Sequence, residues 1–172
     1  MRRIPAGFTL TEMLVTIIIM AILLAIAAPS YISTISSTRM SGEINTLQED
    51  LNFARSEAVK RGLKIDVCPP TTPNGTTCAT TNPLDWSSGW VVLLNGTTTR
   101  LRISPGVTHG DTLISTSVAA IPYPQFTQAG YIFFTGASAT IKLHGTNSTP
   151  SQYRCIVFNA GSWATQQGVS CS

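Results

Sequence analysis

Charge is scarce in this sequence. Of its 172 residues, 11 are Lys or Arg and 8 are Asp or Glu. Long solvated helices need polar faces, and this composition argues against them. Histidine is rarer still, with His109 and His144 the only two. No H-E-x-x-H pair, nucleophile elbow or phosphate-cradling loop occurs. The nearest approach to an acid–base or metal set is His109-x-Asp111 with His144, and histidines in such loop-edge contexts read as surface groups. We therefore expect no enzyme, no metal and no cofactor.

Basic excess is also lacking. The formal charge is +3, and Arg2 and Arg3 supply two of those units. Without residues 1–7, nine basic side chains face eight acidic ones. A stripe for nucleic acid is not implied by composition, although a local patch needs only a few cations. The short C-x2-4-C spacing of structural zinc sites is absent too. The four cysteines are Cys68, Cys78, Cys155 and Cys171. They allow three disulfide pairings, and sequence does not choose between them. Pairing of neighbours would close loops of ten and sixteen residues. An even count behind an export-like N-terminus favours an oxidising compartment.

What the chain does have is one long apolar block. Between Glu12 and Arg39 no residue is charged. Met13–Ile35 offers 23 uncharged and largely apolar residues, and about 20 suffice to cross a bilayer. A cleaved secretory signal has a shorter apolar region and no carboxylate near its start. A domain of this size would struggle to bury a helix that is apolar all round. A membrane span is the remaining reading. Arg2 and Arg3 then place the N-terminus in the cytoplasm and the rest outside. Glu12 is the anomaly, because an ionisable group in a span is costly without a partner. It is either wet at headgroup level or paired with a positive charge from another molecule. Cleavage after Gly7 would create such a charge, a free amine on Phe8.

The stretch Gly7-Phe8-Thr9-Leu10-Thr11-Glu12, after a short basic leader and before a long apolar run, resembles the processing motif of type IV pilins and type II secretion pseudopilins. The resemblance implies that a prepilin peptidase cuts after Gly7 and methylates Phe8. It implies that Glu12 guides subunits into a fibre by neutralising a neighbour's amine, and that Pro29 is the family's proline within the helix.

Beyond Pro29, Met40, Ile44, Leu47, Leu51, Ala54 and Ala58 recur at steps of three and four and draw one apolar stripe. Glu43, Gln48, Glu49, Asp50, Arg55, Glu57 and Lys60 are expected mostly outside it. Glu57 and Arg61 form an i,i+4 pair, and Gly62 reads as the helix C-cap. One helix over Phe8 to Arg61 would be 54 residues, roughly 80 Å at about 1.5 Å each. Strands are expected over Leu63–Pro69, Gly89–Asn95, the "TTTRLRIS" after the Asn95-Gly96 turn, and near "DTLIST", "GYIFFT", "ATIKLH" and "YRCIVFN". A last strand is expected near Gln167–Cys171. Residues 69–88 and 117–128 read as irregular. Trp86 and Trp90 are expected to pack near Leu51 or Phe53. Trp163, flanked by Gly, Ser and Ala, reads as an exposed contact.

"LQEDLNFARSEAVKRGLKIDVCP", "WSSGWVVLLNG" and "RCIVFNAGS" resemble signatures of the GspH/FimT group of minor pilins. The resemblance implies an α+β, type IV pilin-like fold: a leader over 1–7, a transmembrane half-helix over 8–35, an amphipathic half over 36–62 and an antiparallel β domain over 63–172. It implies a structural subunit of a type IV pilus that aids assembly initiation at or near the tip, with the cysteines leaning that way. The alternatives are a secretion pseudopilin and a tip subunit that binds DNA or a surface. Expected partners are other major and minor pilins, the prepilin peptidase, the inner-membrane assembly platform and membrane lipid, with the head in the periplasm. DNA binding in this group is attributed to a basic "GRxR", where this chain has Gly161-Ser162-Trp163-Ala164. Arg154, Lys142, Arg100 and Arg102 are the cations left to form a patch.

Overall fold

The structure, a computed structural model, describes residues 7–80, 84–116, 123–133, 139–146, 152–159, 161–168 and 171, apart from the side chains of 27–30. The chain divides into two units, Met1–Ser36 and Ser37–Ser172. Helix α1 spans Leu10–Arg61. Thr9 starts it: the Glu12 amide donates to Thr9 O at 3.1 Å and to Thr9 Oγ1 at 3.3 Å. A hydroxyl at this position satisfies an amide that has no partner within the helix, and the acid of the first turn suits its positive end. In the first unit the described apolar side chains of α1 are exposed on every side, and this stretch reaches a mean hydropathy of 2.6 over eighteen residues. It is long and apolar enough to cross a membrane.

In the second unit the predicted stripe is the buried face of α1. Met40, Ile44, Leu47, Leu51, Ala54 and Ala58 are all buried. Two residues expected outside the stripe are buried with it. Asp50 follows Leu47 by three and precedes Ala54 by four, and only 2% of it is exposed; Glu57 follows Ala54 by three. Gly62 ends the helix with φ at 65°, its amide donating to Ala58 O at 3.0 Å. That left-handed conformation carries little cost only for a residue without Cβ.

Nine strands follow among the described residues: β1 (Ile65–Cys68), β2 (Gly89–Leu94), β3 (Arg100–Pro105), β4 (Thr112–Ser115), β5 (Gln125–Phe126), β6 (Ile132–Phe133), β7 (Ala139–His144), β8 (Arg154–Asn159) and β9 (Ser162–Gln167). They form two antiparallel sheets, ordered β3-β2-β1-β5-β6 and β4-β7-β8-β9. One core joins the stripe of α1 to Val67, Trp86, Trp90 and Phe126, and to Leu143 and Phe158 of the second sheet. A smaller cluster lies across the first sheet: Cys68, Val91 and Leu93 pack with Tyr123 and Cys78. Strand β1 is thus buried on both faces, which explains its lack of polar alternation.

Three expectations are corrected. The last strand is Ser162–Gln167, not Gln167–Cys171, because Gly161 (φ 85°) returns the chain at once and β9 zips onto β8 from Asn159↔Ser162. Within the stretch taken as irregular, Gln125–Phe126 pairs with both β1 and β6. Pro122, expected in that stretch, lies outside the described residues. Finally, the Asn95-Gly96 turn is real, with Thr97 N bonded to Leu94 O at 3.1 Å, but β3 begins only at Arg100 after a register shift at Val92/Leu93.

Candidate functional site

The N-terminal segment presents its expected residues on open surface. Phe8 is 77% exposed, and Glu12 stands in the first turn of α1, immediately before the uncharged run that begins at Met13. Gly7 has open space around the position of a Cβ. Pro29 lies within the helical run, and its side chain is among those not described. The capping role of Thr9 was legible as T-x-x-E and was missed in favour of Glu12 alone.

The head is held by polar ties and two disulfides. Cys68 bonds Cys78, and Cys155 bonds Cys171. The first pins the threonine-rich loop, where Thr71 N donates to Thr77 O at 3.0 Å. The second fastens Cys171, the penultimate residue, to β8. The buried Asp50 of α1 accepts from Trp90 Nε1 at 2.7 Å, from Arg102 Nη1 at 2.7 Å and from Ser104 Oγ. Asp111, between β3 and β4, accepts from Arg39 Nη2 at 2.7 Å and from the Thr146 amide at 3.1 Å. Asp66 of β1 accepts from Asn95 at 2.8 Å and Gln125 at 2.8 Å, with neutral donors on both sides. Burial pushes the Tyr123 hydroxyl above its usual pKa, and the Asp66 charge adds to the rise. The hydrogen bond from Arg61 holds Glu57 below the usual carboxylate range, with the charges of Arg61 and Lys60 in support.

The cations considered as a patch are not brought together. Arg102 is spent on Asp50 and Glu49, and Arg100 on the Asn74 carbonyl. Lys142, on β7, sits over the ring of Tyr153, the residue before β8. Lys142 pairs with Cys155, so Arg154, one residue earlier, points to the opposite face of the sheet. There Arg154 reaches Ser37 and Ser41 of α1. Trp163 is half-buried rather than an exposed contact: its ring meets Phe126 edge-on at 5.8 Å, and Arg55 lies over it. Trp163 shares its face of the hairpin with Phe158, its cross-strand partner in the core, which the flanking small residues concealed. His109 touches Thr108, and His144 leans on Tyr153 at 4.7 Å. No cluster of potential metal ligands occurs among the described residues.

A family model described as type II transport protein GspH matches residues 43–162, well over half of the chain. The chain belongs to the GspH family. These proteins are structural, non-catalytic subunits of the pilin and pseudopilin kind. A second model, the prokaryotic N-terminal methylation motif, matches residues 2–28. No curated protein matches the chain. Among solved structures, the type IV minor pilin FimU of Pseudomonas aeruginosa PAO1 is similar in two crystal forms. In one the identity is 21%, the TM-score 0.57, and the match covers 75% of this chain and 89% of the crystallised FimU chain. In the other the figures are 22%, 0.54, 73% and 91%. This GspH-family chain therefore has the pilin fold, a long N-terminal helix and an antiparallel β head.

Proposed function

We propose that this chain is a minor pilin of a type IV pilus, placed at or near the fibre tip, where it helps to initiate assembly with other major and minor pilins. The carrying observation is the first half of α1. Its described apolar side chains are exposed on every side, and the single carboxylate stands at its start. Such a rod needs lipid before assembly and sister helices after it. The methylation motif over residues 2–28 supports prepilin peptidase cleavage after Gly7 and N-methylation of Phe8. Glu12 then pairs with the amine of a neighbouring Phe8 as the rod leaves the bilayer, and Pro29 loosens the helix at the point of packing. The domain scheme follows: leader 1–7, membrane half 8–35, amphipathic half 36–62 and head 63–172. The N-terminus is cytoplasmic, the head periplasmic, and the inner-membrane assembly platform the point of loading. The disulfides suit that compartment.

The test is Glu12→Ala. The variant inserts in the membrane and is cleaved, but falls to a small fraction of wild-type recovery in sheared fibres. Equal recovery overturns the proposal. A second reading, a minor pseudopilin of a type II secretion fibre, draws on the description of the matching family model. Deleting the gene separates the two, since one reading predicts lost pili and the other lost export of folded proteins. DNA capture has less support, because Lys142 and Arg154 lie on opposite faces and Trp163 is half-buried.

A further inference from the structure

Strand edges invite pairing with another chain, and proteins usually guard them with charge, proline, bulges or brevity. Three of the four edges here are guarded. Strand β3 carries Arg100, Arg102, Pro105 and a register shift. Strand β6 has two residues. Strand β4 has four and is bridged by Asp85↔Ile114, with Ser115 N bonded to Leu84 O at 2.7 Å. The fourth edge, β9, is Ser162–Gln167, with no charge, no proline and an unbroken register against β8. No strand among the described residues lies on its far side. In a two-residue hairpin the ladder alternation turns the backbone N–H and C=O of Trp163 and Thr165 away from β8.

Two arginines flank this edge. A cleft of about 280 Å³ separates α1 from β9, lined by Ser41, Asn45, Arg154 and Thr165 among others. Arg154 is half-buried there, and its bonds all go to neutral oxygens: Ser37 Oγ at 3.0 Å, Ser41 Oγ at 3.2 Å, and the carbonyls of Gln152 at 3.1 Å and Tyr153 at 3.4 Å. At the other end the exposed Arg55 lies 5.8 Å from the Trp163 ring centroid. Neither arginine meets a carboxylate among the described residues.

We propose that β9 is a docking edge that takes an extended acidic segment of a partner protein as an added strand, its carboxylates meeting Arg154 and Arg55. Trp163 and Gln167 share a strand face, so the partner carboxylates stand about four residues, roughly 13 Å, apart. A second copy of this chain is the wrong occupant: edge-to-edge pairing in either direction brings arginine against arginine. Nucleic acid fits less well, because two cations do not follow a phosphate backbone, and only a strand uses the turned-out N–H and C=O groups. The inference holds for a pilus or a secretion fibre alike.

The test uses the full chain in detergent micelles and short peptides of alternating Thr and Val. One carries Asp at both ends, one Asn and one Lys, and a short oligothymidylate serves as the nucleic-acid probe. The Asp peptide binds most tightly, about fivefold better than the Asn peptide, and slows amide exchange across 162–167. Arg55→Gln, an exposed change that spares the fold, removes about half of that preference on a logarithmic scale; Arg154→Gln removes the rest. Thr165→Pro deletes one outward amide at a position where an edge tolerates proline, and weakens the Asp peptide about tenfold with circular dichroism unchanged. Equal binding of the three peptides, binding without slowed exchange at 162–167, or preference for oligothymidylate would each overturn the proposal.

Discussion

Trp90 of β2 donates its indole N–H to Asp50 of α1 across 2.7 Å, inside the core that joins the helix to the first sheet. The carboxylate accepts two more bonds, from Arg102 and Ser104 of β3. A buried charge placed on a helix stripe is destabilising unless every lone pair finds a donor. Here one hairpin supplies all three, so Asp50 fixes where the β2–β3 hairpin lies along α1.

Asp50→Ala therefore removes one partner from three donors at once. We expect a loss of about 3 kcal/mol in head stability, and about 1–2 kcal/mol for Trp90→Phe, which leaves Arg102 and Ser104 in place. Denaturant unfolding followed by near-ultraviolet circular dichroism measures both. A loss below about 1 kcal/mol for Asp50→Ala would mean that the carboxylate is wet.

Two glycines hold the same hairpin shut. A Cβ on Gly106 would lie 2.1 Å from Ser87 O, and one on Gly89 would lie 2.6 Å from Ser104 O. Both obstacles are backbone, so neither can swing aside. Gly106→Ala should cost about 1–3 kcal/mol through displaced strands, and Gly89→Ala more, because its φ of 112° disfavours any side chain. Thermal unfolding of the two variants checks the order.

Each disulfide closes a short loop, with sequence separations of 10 and 16. On chain entropy alone, each is worth about 3 kcal/mol, the longer loop slightly more. Replacing Cys155 and Cys171 with Ser should lower the unfolding midpoint by the larger amount. Peptide mapping without reduction should recover Cys68 joined to Cys78 in that variant. Recovery of a crossed pair in the native chain would refute this connectivity.

Glu57 gives the pH dependence a sign. Its folded pKa lies below the ordinary value because Arg61 donates to it at 2.5 Å. The unfolded chain then binds the proton more readily, so the contribution is present above the ordinary carboxylate range and fades as the pH falls through the folded value. Glu57→Gln should be less stable than wild type near about pH 7, and the gap should close below about pH 4. A gap that widens on acidification contradicts the assignment.

Much of this architecture was legible because its periodicity is local. The stripe from Met40 to Ala58 and the cap at Gly62 follow from spacing, and the strands around Val67, Val92 and Ile141 from short apolar runs bounded by turn residues. The resemblance at Gly7 to Glu12 places the rod in a family on six residues of sequence. Asp50 was misplaced because residue type was weighed above its spacing from Leu47 and Ala54; its donors arrive from residues 90 to 104, a distance no local pattern reports. Strand β9 was missed for a different reason. Its Ala, Thr and Gln lack apolar alternation, since most of it faces water, and a strand of that kind is marked only by its turn at Gly161. Arg55 was overlooked because its ring partner, Trp163, lies far along the chain.

Arg39 and Asp111 offer the sharpest separation of charge pairing from simple packing. The Asp111 side chain is fully out of solvent, whereas a quarter of Arg39 is exposed, and the pair stands at 2.7 Å. Asp111 also accepts from Thr146, so the pair ties α1 to the β3–β4 connection and to the end of β7. In a double-mutant cycle of Arg39→Gln and Asp111→Asn the coupling should reach about 1–2 kcal/mol, above that of a surface pair. Salt should change it little, since mobile ions do not reach a carboxylate enclosed by protein. Unfolding free energies of the four proteins at low and high salt decide the matter: coupling that vanishes in salt would place Asp111 at the surface, and coupling near zero throughout would reduce the contact to packing.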